Sequence, residues 1–345
     1  MFVRAHCAVR AVLGGSSRGR RRTTWALTAA LLAGCTGGLL AFADGGDSGA
    51  GDRGNAVAQQ SSMPRAVADR LDLPWPEEGQ TALAVEKAGA LGVKGAQQPV
   101  PIASLTKVMT AYVILKEHPL KGGENGPVVK VDEQAAAEAH SLSESTAPVR
   151  QGQLLSQRKL LELMLLPSGN NVARLLARWD SGSQKKFTAK MNAAAARLGM
   201  VHTTYTGASG FESTTRSTAA DQLRLAREAM KEPALRATVA LRSTKLPGQA
   251  EPVRNTNKLL ERPGVIGLKT GSSTPAGGNL MWAAEIPDGT SHHVVYGVVL
   301  SQRVGTSPTE GNQAALESSE RLLDALQERL PAALAAYGDG RDGRR

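Results

Sequence analysis

Beyond residue 35 the chain contains no cysteine; Cys7 and Cys35 are the only two, and both sit in the N-terminal segment. The remainder therefore holds no disulfide, no thiolate nucleophile and no cysteine-liganded metal. The six histidines include no i, i+4 pair, so no zinc pattern is present either. Aromatic residues make up 3% of the chain and no basic stripe accompanies them, which argues against nucleic-acid binding. The net charge of +10 does not alter this. Six arginines (Arg4, Arg10, Arg18, Arg20, Arg21, Arg22) fall within residues 1–43 with no acid beside them, leaving only +4 for the rest. The chain as a whole is 41% hydrophobic and 21% charged over 345 residues, the make-up of a folded soluble core in one large domain or two small ones.

The stretch "RGRRRTTWALTAALLAGCTGGLLAFADGG" sets a basic region before the apolar run Trp25 to Ala43. Residues 1–43 thus read as an export signal or membrane anchor, which puts the folded part outside the cytoplasm. Three fates stay open. "LLAGC" resembles a lipid-attachment site on Cys35, "AFA" before Asp44 resembles a signal-peptidase site, and the uncut apolar run is just long enough to span a bilayer. Residues 44–63, rich in Gly, Ser and Asp, read as a flexible tether with a reach of roughly 25 Å. A domain over 64–335 follows, and 336–345, containing "GDGRDGRR", reads as a disordered tail.

Within the domain, "TALAVEKAGALGVKG" predicts a hairpin, and residues 104–116 an apolar helix. "GPVVKV" predicts a strand. "LLSQRKLLELMLL" and "NVARLLARW" predict helices separated by "PSGN", followed by "SQKKFTAKMNAAAARLG", ending at Gly199, and "STAADQLRLAREAMK". "GVIGLKT", "GNLMWAAEI" and "HHVVYGVVLSQ" predict three successive strands, and "QAALESSERLLDALQERL" a closing helix. Strands at both ends around a helical middle imply an α+β fold with one antiparallel sheet, in which residues 104–240 form a lobe of their own.

One residue does not suit its surroundings. Lys107 lies in "PIASLTKVMTAYVIL", a helix apolar nearly all round, and such helices are buried. An ammonium there costs several kcal/mol unless it is paired. Either its stem packs while its head reaches solvent near the helix start, or polar groups converge on it. Ser104, three residues earlier, shares its face. Serine-x-x-lysine recurs at Ser156 with Lys159 and Ser183 with Lys186, but in amphipathic surroundings where the lysine suits a solvated face. Two further short motifs, each bland alone, follow in order. Ser168, Gly169 and Asn170 begin 61 residues after Lys107 and suit a helix stop and new cap; Lys269, Thr270 and Gly271 begin 101 residues after Ser168 and suit a strand entering a turn.

Together the three motifs are specific. With "ASLTKVMTA", "LLPSGNNVA", "STAADQLRLA", "NTNKLL" and "GVIGLKTGSSTPAGGNL", the chain from about residue 75 to 330 resembles the low-molecular-mass penicillin-binding proteins, serine-type D-alanyl-D-alanine carboxypeptidases of actinobacterial type. The resemblance implies a β-lactamase/transpeptidase-like fold, a five-stranded antiparallel sheet flanked by helices with a mostly helical subdomain. It implies Ser104 as nucleophile, Lys107 as base, Ser168 bridging Lys107 and Lys269, and Asn170 bonded to Lys107 and substrate. It also implies an oxyanion site from the N–H groups of Ser104 and Ser272. Gly271 would leave the strand edge bare for substrate. Thr270, Ser272 and a cation would meet the terminal carboxylate, with Arg303, which also suits a solvated strand end, as the candidate. The partners implied are a peptidoglycan stem peptide ending in D-Ala-D-Ala and β-lactam inhibitors; no cofactor or metal is implied.

Two stretches depart from the family pattern. Gly169 stands where β-lactamases commonly carry Asp, and "ASGF" after "TYTG" replaces an "HGL"-like stretch, which puts that loop's contacts in doubt. A β-lactamase would share the acylation machinery but would need a water-positioning Glu–Asn loop; "TTYTGASGFESTTRS" supplies Glu212 and no Asn. A non-catalytic wall-binding domain of the same fold is the other alternative, and the complete set of motif residues argues against it.

Overall fold

The computed structural model describes residues 65–342; the export segment, the tether and the last three residues lie outside the described residues. In chain order the elements are α1 (Arg65–Arg70), β1 (Gln80–Val85), β2 (Gly89–Lys94), β3 (Val100–Pro101), a 3-10 turn (Ala103–Leu105) and α2 (Thr106–Glu117). There follow β4 (Val128–Lys130), α3 (Glu133–Glu138), β5 (Leu154–Ser156), α4 (Gln157–Leu165), α5 (Asn170–Ser181) and α6 (Gln184–Arg197). Then come β6 (Arg216–Ser217), α7 (Ala219–Ala229), α8 (Pro233–Val239), β7 (Ser243–Thr244) and β8 (Val253–Arg254). The chain finishes with β9 (Val265–Ser273), β10 (Gly277–Asp288), β11 (Ser291–Gln302) and α9 (Pro308–Asp342).

The main sheet runs β2-β1-β11-β10-β9, antiparallel throughout, so β11, the last strand, lies in the middle and joins the two ends of the domain. Alternation along the strands builds two cores. Leu280, Trp282, Ala284 and Ile286 of β10 pack beneath α9, while Met281 and Ala283 face the helices of the other side. Gly297 of β11 sits opposite Trp282 because a Cβ there would lie 2.1 Å from the indole. The start of α9 meets β10 just as closely: a Cβ on Gly278 would fall 1.7 Å from the carbonyl oxygen of Gly311.

Helix α2 owes its lack of a polar face to its position, since α4, α5, α6, α7 and α8 all pack against it. Burying Val108, Met109, Ile114 and Leu115 contributes roughly 1.5–3 kcal/mol each, enough to hold the helix inside against the desolvation of one ammonium. The expectation of a separate lobe over 104–240 is corrected here. One apolar cluster runs from the helices onto the sheet through Ala82, Leu268, Met281 and Val298, so helices and sheet face share a core. Two boundaries also differ from expectation. Leu154–Ser156 pairs with β4 as a strand, leaving Ser156 to cap α4. The closing helix passes Pro331 and continues to Asp342, into residues expected as a tail, with Ala333 buried and Leu334 packed on the core. No helix among the described residues is long and apolar enough to cross a membrane.

Candidate active site

Ser104 occupies the 3-10 turn that leads into α2, and its hydroxyl does not cap the helix. The two other serine-x-x-lysine copies behave differently: Ser156 Oγ accepts from the backbone N–H of Lys159 at 3.2 Å, and Ser183 Oγ from that of Lys186 at 3.3 Å. Those serines are ordinary N-caps. Lys159, expected on a solvated face, is part-buried and bonded to Glu162 and Thr244. Only at 104 and 107 does lysine turn its amine onto the serine hydroxyl.

Lys107 has no exposed surface. Its Nζ donates to Ser104 Oγ at 2.8 Å, to Asn170 Oδ1 at 2.6 Å and to the carbonyl oxygen of Ser209 at 2.8 Å. These acceptors take all three hydrogens of an ammonium. A neutral amine would keep the bonds to Asn170 and Ser209 and turn its lone pair to the Ser104 hydroxyl. The surroundings favour that neutral form: burial, then the charges of Lys269 and Arg174, hold the amine well below the usual lysine range, against smaller upward pulls from Glu144 and Glu212.

Ser209 was not anticipated, because it acts through its backbone. The stretch "ASGF" docks on the start of α2, with Thr110 Oγ1 donating to the Ala208 carbonyl at 2.7 Å. Gly210, at φ +80°, lies so close that a Cβ would stand 1.9 Å from the Ala103 carbonyl oxygen. The contacts left in doubt for this loop are thus a clamp on the Ser104 turn.

Asn170 opens α5, and its amide reaches two ways. While Oδ1 accepts from Lys107, Nδ2 donates to Glu144 Oε2 at 2.7 Å. Arg174, also buried, donates to both oxygens of Glu144 and, through Nε, to Glu138 at 2.8 Å. Glu144 and Arg174 were likewise missed. The available signal was an arginine inside the apolar run "NVARLLA", the same anomaly that marked Lys107.

Ser168 is buried at φ +67°, and its Oγ makes no hydrogen bond among the described residues. The expected bridge between the lysines is therefore not made. Lys107 has spent its hydrogens on Ser104, Asn170 and Ser209, and Lys269 donates to the Thr270 carbonyl at 2.9 Å. Burial pulls the Lys269 amine down to about 7.

The expected role of Gly271 changes as well. A Cβ there would lie 2.9 Å from Ser104 N and 3.0 Å from Leu105 N, so the missing side chain admits the backbone of the serine turn, on a strand that is also the outer one of the sheet. Thr270 turns its hydroxyl to Thr256 Oγ1 at 2.8 Å and lines a neighbouring depression with Lys258 and Asn279. Ser272 faces a cavity of about 570 Å³ that also takes in Ser104, Asn170, Glu144 and Gly210, with exposed Leu142 and Phe211 at its rim. Arg303 is not brought there. It is exposed, at φ +51°, and lines a separate depression with Trp75 and Arg321, because the end of β11 turns toward α9.

Comparison with known proteins agrees with the motif pattern. Residues 78–300 match the model of the D-alanyl-D-alanine carboxypeptidase family. The chain is 34% identical over 221 residues to the D-alanyl-D-alanine carboxypeptidase DacB2 of Mycobacterium tuberculosis, covering 61% of this chain and 72% of the relative. It is 34% identical over 187 residues to a D-alanyl-D-alanine endopeptidase of Pseudomonas aeruginosa, 52% of this chain, and spans only 57% of that relative's length. Among solved structures, the Streptomyces K15 DD-transpeptidase superposes with a TM-score of 0.62 at 26% identity, over 73% of this chain and 98% of its own. Penicillin-binding protein 6B from Escherichia coli does so at 0.62 with 28% identity, over 74% and 80%.

Proposed function

Because the chain belongs to the D-alanyl-D-alanine carboxypeptidase family, we propose that it removes the terminal D-alanine from peptidoglycan stem peptides through an acyl-enzyme on Ser104, and that β-lactams acylate the same serine. The observation that carries this reading is the setting of Lys107: fully buried, depressed in pKa, and bonded to Ser104 Oγ by the one hydrogen that becomes a lone pair on deprotonation.

Neutral Lys107 takes the Ser104 proton as Oγ attacks the carbonyl carbon of the penultimate D-alanine. The carbonyl electron pair moves onto oxygen, where the N–H groups of Ser104 and Ser272 receive it, each worth roughly 3–4 kcal/mol. Collapse breaks the C–N bond, and the departing D-alanine amine takes a proton from Lys107 through Ser168, whose hydroxyl has no partner among the described residues and would have to turn to Lys107 once Ser104 Oγ is bonded to carbon. Water then attacks the ester, with Lys107 again accepting a proton and Ser104 Oγ leaving. Ser272 is the hydroxyl suited to the substrate carboxylate. The apolar N-terminal run supports an extracytoplasmic setting, secreted or held at the outer face of the membrane.

Two assays test the reading. A fluorescent penicillin should label the chain and fail to label Ser104→Ala. A diacyl-D-Ala-D-Ala peptide should release D-alanine while nitrocefin turns over slowly. The stretch "TTYTGASGFESTTRS" carries Glu212 but no Asn to help place a hydrolytic water, which suits slow lactam hydrolysis. Rapid nitrocefin turnover without D-alanine release would overturn the assignment.

A further inference from the structure

The amide of Asn170 has two orientations, and they act oppositely on Lys107. With Oδ1 toward the amine, it accepts an N–H and leaves the lone pair of neutral Lys107 free for the Ser104 proton. With Nδ2 toward the amine, it would donate into that lone pair and occupy the base. We propose that Glu144 is a positioning residue that selects the productive orientation: its carboxylate accepts from Asn170 Nδ2 at 2.7 Å, which turns Oδ1 to Lys107 Nζ at 2.6 Å. This rests on Lys107 being the base for Ser104.

Glu144 is itself held in place. Arg174 donates to both of its oxygens and is braced from behind by Glu138 of α3. The loop carrying Glu144 is pinned to the start of α5. Asn170 N donates to the Ser145 carbonyl at 2.9 Å, and Asn171 exchanges bonds with both backbone groups of Ala147, each at 2.9 Å. A chain of contacts thus runs from Glu138 through Arg174, Glu144 and Asn170 to Lys107, and each link restricts the next. It parallels the way a third group orients the base of other nucleophile–base pairs. The charges facing Lys107 are Lys269 from β9 and Arg174 from α5, which disfavour its proton, and Glu144 and Glu212 from the loops before β5 and β6, which favour it.

The test is the pH profile of acylation by a fluorescent penicillin, with thermal stability followed alongside, on the full-length chain. Glu144→Gln can donate as readily as accept, so it should slow acylation about tenfold, part of what a general base contributes. Its acidic limb should move to lower pH, because a charge favouring protonated Lys107 has gone. Glu144→Asp, still acceptor-only, should recover most of the rate. In an Asn170→Ala background, Glu144→Gln should add no further loss. A wild-type rate and profile in Glu144→Gln would overturn the proposal. So would lost stability with the limb in place, or a loss that persists in Asn170→Ala. Should Glu144→Gln not fold, Arg174→Lys, which loses the fork, decides instead: slowed acylation absent from the Asn170→Ala background supports it, and unchanged acylation sinks it. A wild-type chain that takes no label defeats the base assignment and this proposal with it. A labelled wild type with indifferent variants defeats the role of Glu144 alone.

Discussion

Gly271 and Ser104 meet backbone to backbone: a Cβ on the glycine would stand 2.9 Å from the amide nitrogen of the serine. Neither partner can yield by rotating a side chain. Gly271→Ala should therefore displace the serine turn, cost about 1–3 kcal/mol of stability as overpacking does, and slow acylation by roughly a hundredfold. Thermal denaturation and penicillin-labelling rates check both. Wild-type labelling in a folded Gly271→Ala protein would show that this contact is not limiting.

Lys269 should leave its mark on stability against pH. Folded, its amine titrates at about 7 because it is buried; unfolded, at the ordinary 10.5. Between those values the unfolded chain binds more protons, so stability rises with pH across that window. Below pH 7 the amine is charged in both states and the full burial penalty stands. Lys269→Met should flatten the rise and stabilise the protein at pH 6 by about 1–4 kcal/mol, as replacement of buried charges often does. Denaturant melts at pH 6 and pH 9 measure it.

The same substitution should move the chemistry the other way. The Lys269 charge helps hold the Lys107 amine low. Without it, Lys107 keeps its proton to higher pH, so the acidic limb of the labelling profile in Lys269→Met should shift upward. A downward shift would contradict the electrostatic coupling of the two lysines.

Ser168 sits at φ +67°, in the left-handed region that glycine adopts freely. Ser168→Gly should relieve roughly 1 kcal/mol of backbone strain while removing the hydroxyl given the relay role. The outcome to look for is a protein that melts higher and releases D-alanine more slowly.

Thr110→Val removes the bond to the Ala208 carbonyl and leaves that buried acceptor bare, at a cost of about 1–3 kcal/mol. Because the next residue along supplies Lys107 with an acceptor, labelling should slow severalfold at unchanged penicillin saturation. Rates alone would shift if the loop serves the base; a change in saturation would point to a substrate contact.

The nucleophile region was legible because burial conflicts with charge. An amine in a helix with no polar face demands partners, and the order of the motifs said where to look. The sheet was legible from three apolar, strand-like stretches in succession, which the structure buries on both faces along most of β10 and β11. Other features were hidden for physical reasons. Ser209 works through a carbonyl that every residue carries. Gly271 reads identically whether its missing side chain makes room for substrate or for its own chain. The seven-residue helix α8 is too short for its periodicity to stand out, although Pro233 at its first turn was a start signal. Arg174 carries the same conflict as Lys107, a full charge inside the apolar run "NVARLLA".

Strand order has a bearing on biosynthesis. Since β11 fills the gap between β1 and β10, the hairpin made first has no further strand beside it until nearly the whole domain has emerged. The lysine of β9 and the serine of the early turn remain strangers until then. A chain ended before β11 would lack the strand that joins the early hairpin to β10 and β9, and with it the sheet on which Lys269 is carried to the Ser104 turn.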